Sequence, residues 1–253
     1  AGDTSNNAGA IDLSGVGGTI DLSAGGAAVA GTVTVTTDVT GTDRAISLGP
    51  VVDVSGTPLA LEVLSGTASI TTDSLGVPGT PIGLLTATGA TVNLDGSSYV
   101  TGASVTAATA LNVDTGGASS LVLRTYGADM TFAGGDIAID PTTSIEGDAT
   151  TELLTLQGDA AADTIGVGDN ATAADVDLSE AELRTVQASI AELTVGAAAQ
   201  SGLITVDESS ANGLDGLNTA LRLRGPVRLG SAITQASNAL TLTGTVLVDG
   251  AVT

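Results

Sequence analysis

The chain is patterned in apolar–polar–apolar triplets that return at short intervals for almost its whole length. Early copies are Ile11-Asp12-Leu13, Ile20-Asp21-Leu22, Val33-Thr34-Val35, Ile46-Ser47-Leu48, Val52-Asp53-Val54 and Leu61-Glu62-Val63. Later ones include Val92-Asn93-Leu94, Leu111-Asn112-Val113, Ile137-Ala138-Ile139, Val176-Asp177-Leu178, Leu221-Arg222-Leu223 and Val246-Leu247-Val248. Three residues are too few to hold a sheet together alone, so each copy must stack on the next. Glycines punctuate the copies, among them Gly56, Gly66, Gly89, Gly96, Gly134 and Gly244, and they supply tight corners. Strand, corner, strand reads as an all-β chain.

Two all-β architectures compete. A tandem β-sandwich uses strands of about five or six residues around an aromatic-rich core. A parallel β-solenoid (β-helix) uses one very short strand per face of each coil and stacks small branched residues in columns. Composition favours the solenoid: the 253 residues contain no His, Cys or Trp, and the aromatics are Tyr99, Tyr126 and Phe132 alone. A core without rings that each bury roughly 150–250 Å² suits a narrow interior of constant width. The expected fold is therefore a β-solenoid of coils of about 20 residues, stacked about 4.8 Å apart. Alternation sends the flanking residues of each triplet inward and the middle one outward. Asp12, Asp21, Asp53, Glu62 and Asp177 are thus expected in solvent.

One stretch breaks the alternation. Ser179 followed by Glu182 is a capping-box pattern, and Leu183, Val186 and Ile190 then fall at helical spacing. This predicts a short helix near 180–190 lying against the solenoid wall. The break divides the chain into a solenoid region over 1–150 and a continuation over 151–253 that carries the helical insertion. No linker separates them, so one continuous domain fits equally.

The net charge is −22, with six arginines and no lysine. Such a surface repels nucleic acid, whose binding rests on clustered Lys and Arg. No apolar run reaches the roughly 18 residues of a membrane span. With no cysteine there is neither a disulfide framework nor thiol chemistry. The first residue is Ala and no basic, apolar leader follows it, so the chain is expected to be a mature form or an excerpt of a longer one.

Catalytic constellations are scarce. Without His, Cys or Lys, the usual Ser-His, Cys-His and Ser-Lys pairs are excluded. Carboxylate pairs for glycoside hydrolysis could be drawn from Asp136 with Asp140, or Glu180 with Glu182. Arg222, Arg224 and Arg228 lie downstream of Asp207, Glu208 and Asp215, an arrangement a polysaccharide-acting enzyme on a β-helix could use. The simpler reading places these arginines on an outward face where they balance nearby acids. Thr32-Val33-Thr34-Val35-Thr36 and Thr241-Leu242-Thr243 suggest an ice-binding face. That function needs such a unit on nearly every coil, so strand propensity explains them better.

The segment Gly158-Asp159-Ala160-Ala161-Ala162-Asp163-Thr164-Ile165, followed by Gly168-Asp169-Asn170, resembles a degenerate copy of the nonapeptide of calcium-binding parallel β-rolls. The resemblance makes Asp159, Asp163 and Asp169 candidate calcium ligands, and calcium is the one cofactor the sequence suggests. An ordinary acidic turn is the competing reading, because calcium needs six to eight oxygens and the copy stands alone.

The overall texture, and especially Val176 to Leu183 leading to Ile190-Ala191-Glu192-Leu193-Thr194-Val195-Gly196, resembles giant β-strand-repeat exoproteins of Gram-negative bacteria, the filamentous-haemagglutinin-like adhesins. The acidic, Cys-free composition is also similar to that of bacterial surface-layer proteins. The first resemblance implies a secreted, non-catalytic stalk or fibre segment at the bacterial cell surface; the second implies a calcium-dependent lattice protein. A polysaccharide-acting enzyme is the more distant alternative. Residues 246–253 still read as strand, so the last coil is expected to stack on another copy or on neighbouring segments of a longer chain.

Overall fold

A computed structural model describes residues 10–15, 18–23, 31–38, 43–114, 120–149, 151–169, 171, 174–207, 214–230 and 238–249. Every ladder between its strands is parallel, as a solenoid requires and a hairpin-built sandwich does not allow. The fold is an all-β parallel solenoid with three faces.

The first face stacks the triplets most visible in the sequence. Ile11, Ile46, Ile70, Val92, Leu111 and Ile137 fall on one line of register, and Leu13, Leu48, Thr72, Leu94, Val113 and Ile139 on a second. The second face stacks Ile20, Val51, Leu75, Ser98, Leu123, Ile145 and Val186. On the third face, Val33, Leu61, Leu85, Ala103, Met130, Leu154, Leu193, Leu221 and Leu240 form one column. Beside it runs a column of Val35, Val63, Ala87, Val105, Phe132, Leu156, Val195, Leu223 and Leu242. These inward residues merge into one continuous core. Alternation along each short strand is what points all of them to the same interior.

The core is filled by packing small against large. Phe132 and Met130 are fully buried, and their register neighbours toward the N-terminal side are Val105 and Ala103. Alanine in one coil therefore makes room for the bulkier side chain of the next. The third-face ladder crosses residue 150 without interruption, pairing Met130–Gly134 with Leu153–Gly158.

Coil length varies more than the expected 20 residues. The third-face column advances 18 residues from Leu85 to Ala103, but 39 from Leu154 to Leu193. The long coil holds an extra first-face strand. Ile165–Val167 pairs with Val176–Leu178 as well as with Ile204–Val206, and Val176–Leu178 lies beside Ile137–Ile139. The chain thus lays down one strand, turns back, and fills the slot beneath it. From there the face continues through Ile204–Val206, Val227–Leu229 and Val246–Val248.

Two expectations need correction. The helix is a single turn, Glu180–Leu183, rather than 180–190. It starts as the sequence predicts: Ser179 and Glu182 complete the reciprocal capping box. It ends because the chain is claimed by the second face, where Ile145 N–H donates to Thr185 O and Gln187 N–H donates to Ile145 O. Leu183, Val186 and Ile190 are nonetheless buried. The second correction is Asp53, which is 2% exposed, whereas Val54 is 64% exposed. The strand here is Val51–Val52, so the inward phase falls on Val51 and Asp53 rather than on Val52 and Val54.

Candidate functional site

A solenoid offers three kinds of site: its outer strand faces, its corners and its terminal rungs. On the third face, the middle positions of successive coils are Thr34, Glu62, Thr86, Ser104, Thr131, Thr155, Thr194, Arg222 and Thr241. The hydroxyl column is fuller than two Thr-x-Thr units suggest, since Thr86-Ala87-Thr88 adds a third in the same register. It is broken by charge, however. Thr34 Oγ1 donates to Glu62 Oε2 at 2.9 Å, and Arg222 pairs with Glu192 at 3.0 Å. The neighbouring outer column also carries Leu64, Ala133 and Gln157, so a uniform threonine array is not formed.

The arginines serve as cross-coil ties. Besides Arg222, Arg124 faces its register partner Glu146 at 3.8 Å, and Arg228 Nε lies 2.6 Å from Asp249 Oδ2. Arg224 is exposed beside a shallow groove that Gln200, Thr243 and Thr245 also line. Glu208 and the side chain of Asp215, its proposed acidic companions, lie outside the described residues. Both carboxylate pairs nominated for hydrolysis have other duties. Glu182 accepts from Ser179 N–H and Oγ–H through Oε2 and from Ile139 N–H through Oε1. Asp140 Oδ1 accepts from the N–H and hydroxyl of Thr142, and Asp136 Oδ1 accepts from Ile137 N–H.

The candidate calcium ligands divide into two places. Asp163 Oδ2 accepts from Ala160 N–H at 2.8 Å and packs against Gly158, where a Cβ would come within 2.6 Å of it. Asp159 joins this turn: burial pushes its carboxyl up, and the hydrogen bond and charge of Asp163 push it further. Asp169 instead caps the single helical turn, its Oδ1 accepting from Glu180 N–H at 3.1 Å. Glu180 is 5% exposed, and burial followed by the charge of Asp169 raises its carboxyl, with Arg184 offsetting part of that rise. Among the described residues, no three acidic side chains gather in the arrangement a metal ion needs. Asn170 lies outside the described residues.

The terminal rungs differ sharply from the interior ones. Val246, Leu247 and Val248 are 39, 55 and 48% exposed, while their neighbours Val227 and Leu229 are 1 and 3% exposed. At the other end Ile11, Leu13, Val33 and Val35 are only half-buried. Among the described residues, each end therefore presents the column residues of a coil together with an unpaired strand edge. Among the described residues, no helix is long and apolar enough to cross a membrane. In comparisons with known proteins, no family model, no curated protein and no solved structure matched the chain.

Proposed function

We propose that the chain is a structural segment of an extracellular bacterial stalk or fibre, extended by strand pairing at the ends of its coil stack. The observation that carries this reading is the terminal rung. Val246, Leu247 and Val248 keep the register of the interior columns while remaining 39, 55 and 48% exposed. The partner that suits such an edge is another coil with the same parallel spacing, supplied by a second copy or by neighbouring segments of a longer chain. A head-to-tail contact of this kind does not close on itself, so it yields length. The acidic exterior supports the same role, because self-repulsion keeps a long assembly from aggregating sideways.

Secretion and the cell surface come from the resemblance to β-strand-repeat exoproteins. Negative-stain electron microscopy of the purified chain over a range of concentrations tests the mechanical reading. Filaments or linear oligomers whose width is one coil are expected. Compact particles that stay monomeric at high concentration would remove self-association as the source of length.

A further inference from the structure

The first face gains a strand that the other two faces do not. On the third face Leu153–Gly158 pairs directly with Glu192–Val195, and on the second Ile145 pairs directly with Val186, so each advances by one rung. Over the same coil the first face runs from Ile137–Ile139 to Ile165–Val167 by way of Val176–Leu178, which is two rungs. No backbone ladder closes the first of these steps. Among the described residues, Ile137–Ile139 is the edge of one sheet, and Val176–Leu178 begins a separate five-stranded one.

A side chain crosses this seam instead: Glu182 Oε1 accepts from Ile139 N–H at 3.0 Å. Elsewhere on the same face ordinary parallel ladders join the rungs, as between Leu111–Val113 and Ile137–Ile139, or between Val227–Leu229 and Val246–Val248. Like charge also meets here. Burial pushes the Asp177 carboxyl up, and the charge of Asp136 adds to that rise. A backbone ladder resists parting because every N–H and C=O pulled from its partner in a half-buried setting must find another. The seam lacks that resistance, while the third-face ladder beside it keeps it.

We propose that the seam is a hinge in the solenoid. The third-face ladder, continuous through Met130–Gly134, Leu153–Gly158 and Glu192–Val195, is the hinge line. The first face opens and closes by parting Ile137–Ile139 from Val176–Leu178, with Glu182 as the tie between them. Bending concentrates where two packed bodies share one bonded edge and leave the other unbonded. The extra rung also sets the resting shape. One face longer by about 4.7–4.9 Å, across a body about 10 Å deep, inclines the two arms by on the order of 25° with the first face convex. This motion needs no partner, and it does not depend on whether the chain forms fibres.

The chain has no cysteine, so spin labels can be placed in chosen pairs. Ser47→Cys with Thr205→Cys sets labels at outward first-face positions on either side of the seam. Thr88→Cys with Thr243→Cys does the same on the third face. Ser47→Cys with Ala138→Cys keeps both labels on one side. Double electron–electron resonance on the whole chain, diluted with unlabelled protein, reads the distances within single molecules. The Ser47–Thr205 distribution should be at least about twice as wide as the other two. Adding Glu182→Ala should widen it further and leave the Thr88–Thr243 pair unchanged, with circular dichroism checking that the variant stays folded. Equal widths for the first-face and third-face pairs across the seam would overturn the hinge. A Ser47–Ala138 distribution as wide as that of Ser47–Thr205 would overturn it too, by moving the motion away from the seam.

Discussion

Asn112 Nδ2 donates to Asn93 Oδ1 in the coil beneath it at 2.8 Å, and Asn93 Nδ2 in turn donates to Thr71 Oγ1 at 3.2 Å. These three residues are register partners at the middle positions of three triplets. The outer face of the solenoid is therefore tied coil to coil by side chains as well as by backbone. Both ties run through Asn93, so Asn93→Ala removes two hydrogen bonds, while Asn112→Ala removes one. Each such bond contributes about 0.5–1.5 kcal/mol, and the half-buried setting puts these at the lower end. Chemical denaturation should show Asn93→Ala losing more stability than Asn112→Ala, by about one bond's contribution.

Phe132 is the largest fully buried side chain, and it lies in register between Val105 and Leu156. Removing its ring leaves a cavity whose walls belong to three different coils. Because those coils are held by continuous backbone pairing, collapse around the cavity is limited. Phe132→Ala should cost about 3–5 kcal/mol, and Phe132→Leu distinctly less. Urea unfolding reports both. In a stacked array, each coil depends mainly on its neighbours. A fall in the denaturant slope together with the midpoint would mean that the central coils unfold before the ends.

How far the sequence foretold this structure depends on the element. The triplets Ile46-Ser47-Leu48 and Leu111-Asn112-Val113 gave strand, phase and inward face together, because both flanking positions are strongly apolar. Val51-Val52-Asp53-Val54 did not, because three valines allow two phases and period-two alternation inverts every side chain on a one-residue slip. Pairing chose: Val51 N–H donates to Ser74 O and Val51 O accepts from Gly76 N–H, which sets Val51 inward. The extra strand Val176–Leu178 was visible as a triplet, but its placement beneath an earlier strand was not, since sequence order carries no such information.

Glu182 does more than close a capping box. Its Oε1 accepts from Ile139 N–H at 3.0 Å, across 43 residues of chain. The same carboxylate that starts the helical turn therefore also satisfies a strand edge in the first face. Ser179→Ala should cost about 1 kcal/mol, the usual cap penalty. Glu182→Ala leaves both Ile139 N–H and Ser179 N–H without a partner, and should cost about 2–3 kcal/mol. Hydrogen exchange separates the two: Ile139 N–H should lose protection in Glu182→Ala and keep it in Ser179→Ala.

Asp53 is a buried carboxylate that the fold does satisfy. Burial pushes its carboxyl up, but the hydrogen bonds from Ser55 and from Leu59 N–H outweigh this and bring it below the ordinary aspartate value. A carboxyl held lower in the folded state than in the unfolded one adds stability above its unfolded value, about 3.9. That contribution fades as pH falls from there through the lowered folded value. Asp53→Asn should accordingly lower Tm at neutral pH, because its amide cannot accept from both Ser55 and Leu59. The gap to wild type should narrow on acidification below about pH 4. Thermal melts at pH 7 and pH 3 measure both halves of this expectation.

The terminal rung offers a variant that separates folding from assembly. Val227 N–H donates to Thr245 O, and Asp249 N–H donates to Leu229 O. In a parallel ladder the residues that bond one neighbour alternate with those that bond the other. Thr245, Leu247 and Asp249 thus face the coil already present, and the N–H of Val248 points to the open edge. Proline at position 248 removes a donor that has no partner among the described residues, and edge strands accommodate proline for that reason. Val248→Pro should leave Tm at low concentration within about 0.5 kcal/mol equivalent of wild type. It should also shorten or abolish the linear oligomers expected of the wild type in electron microscopy and sedimentation velocity. Leu247→Pro is the contrasting case, because it strikes the internal ladder and should lower stability as well. If Val248→Pro assembles like wild type, pairing at this edge does not build the fibre, and growth through another surface would have to account for any filaments observed.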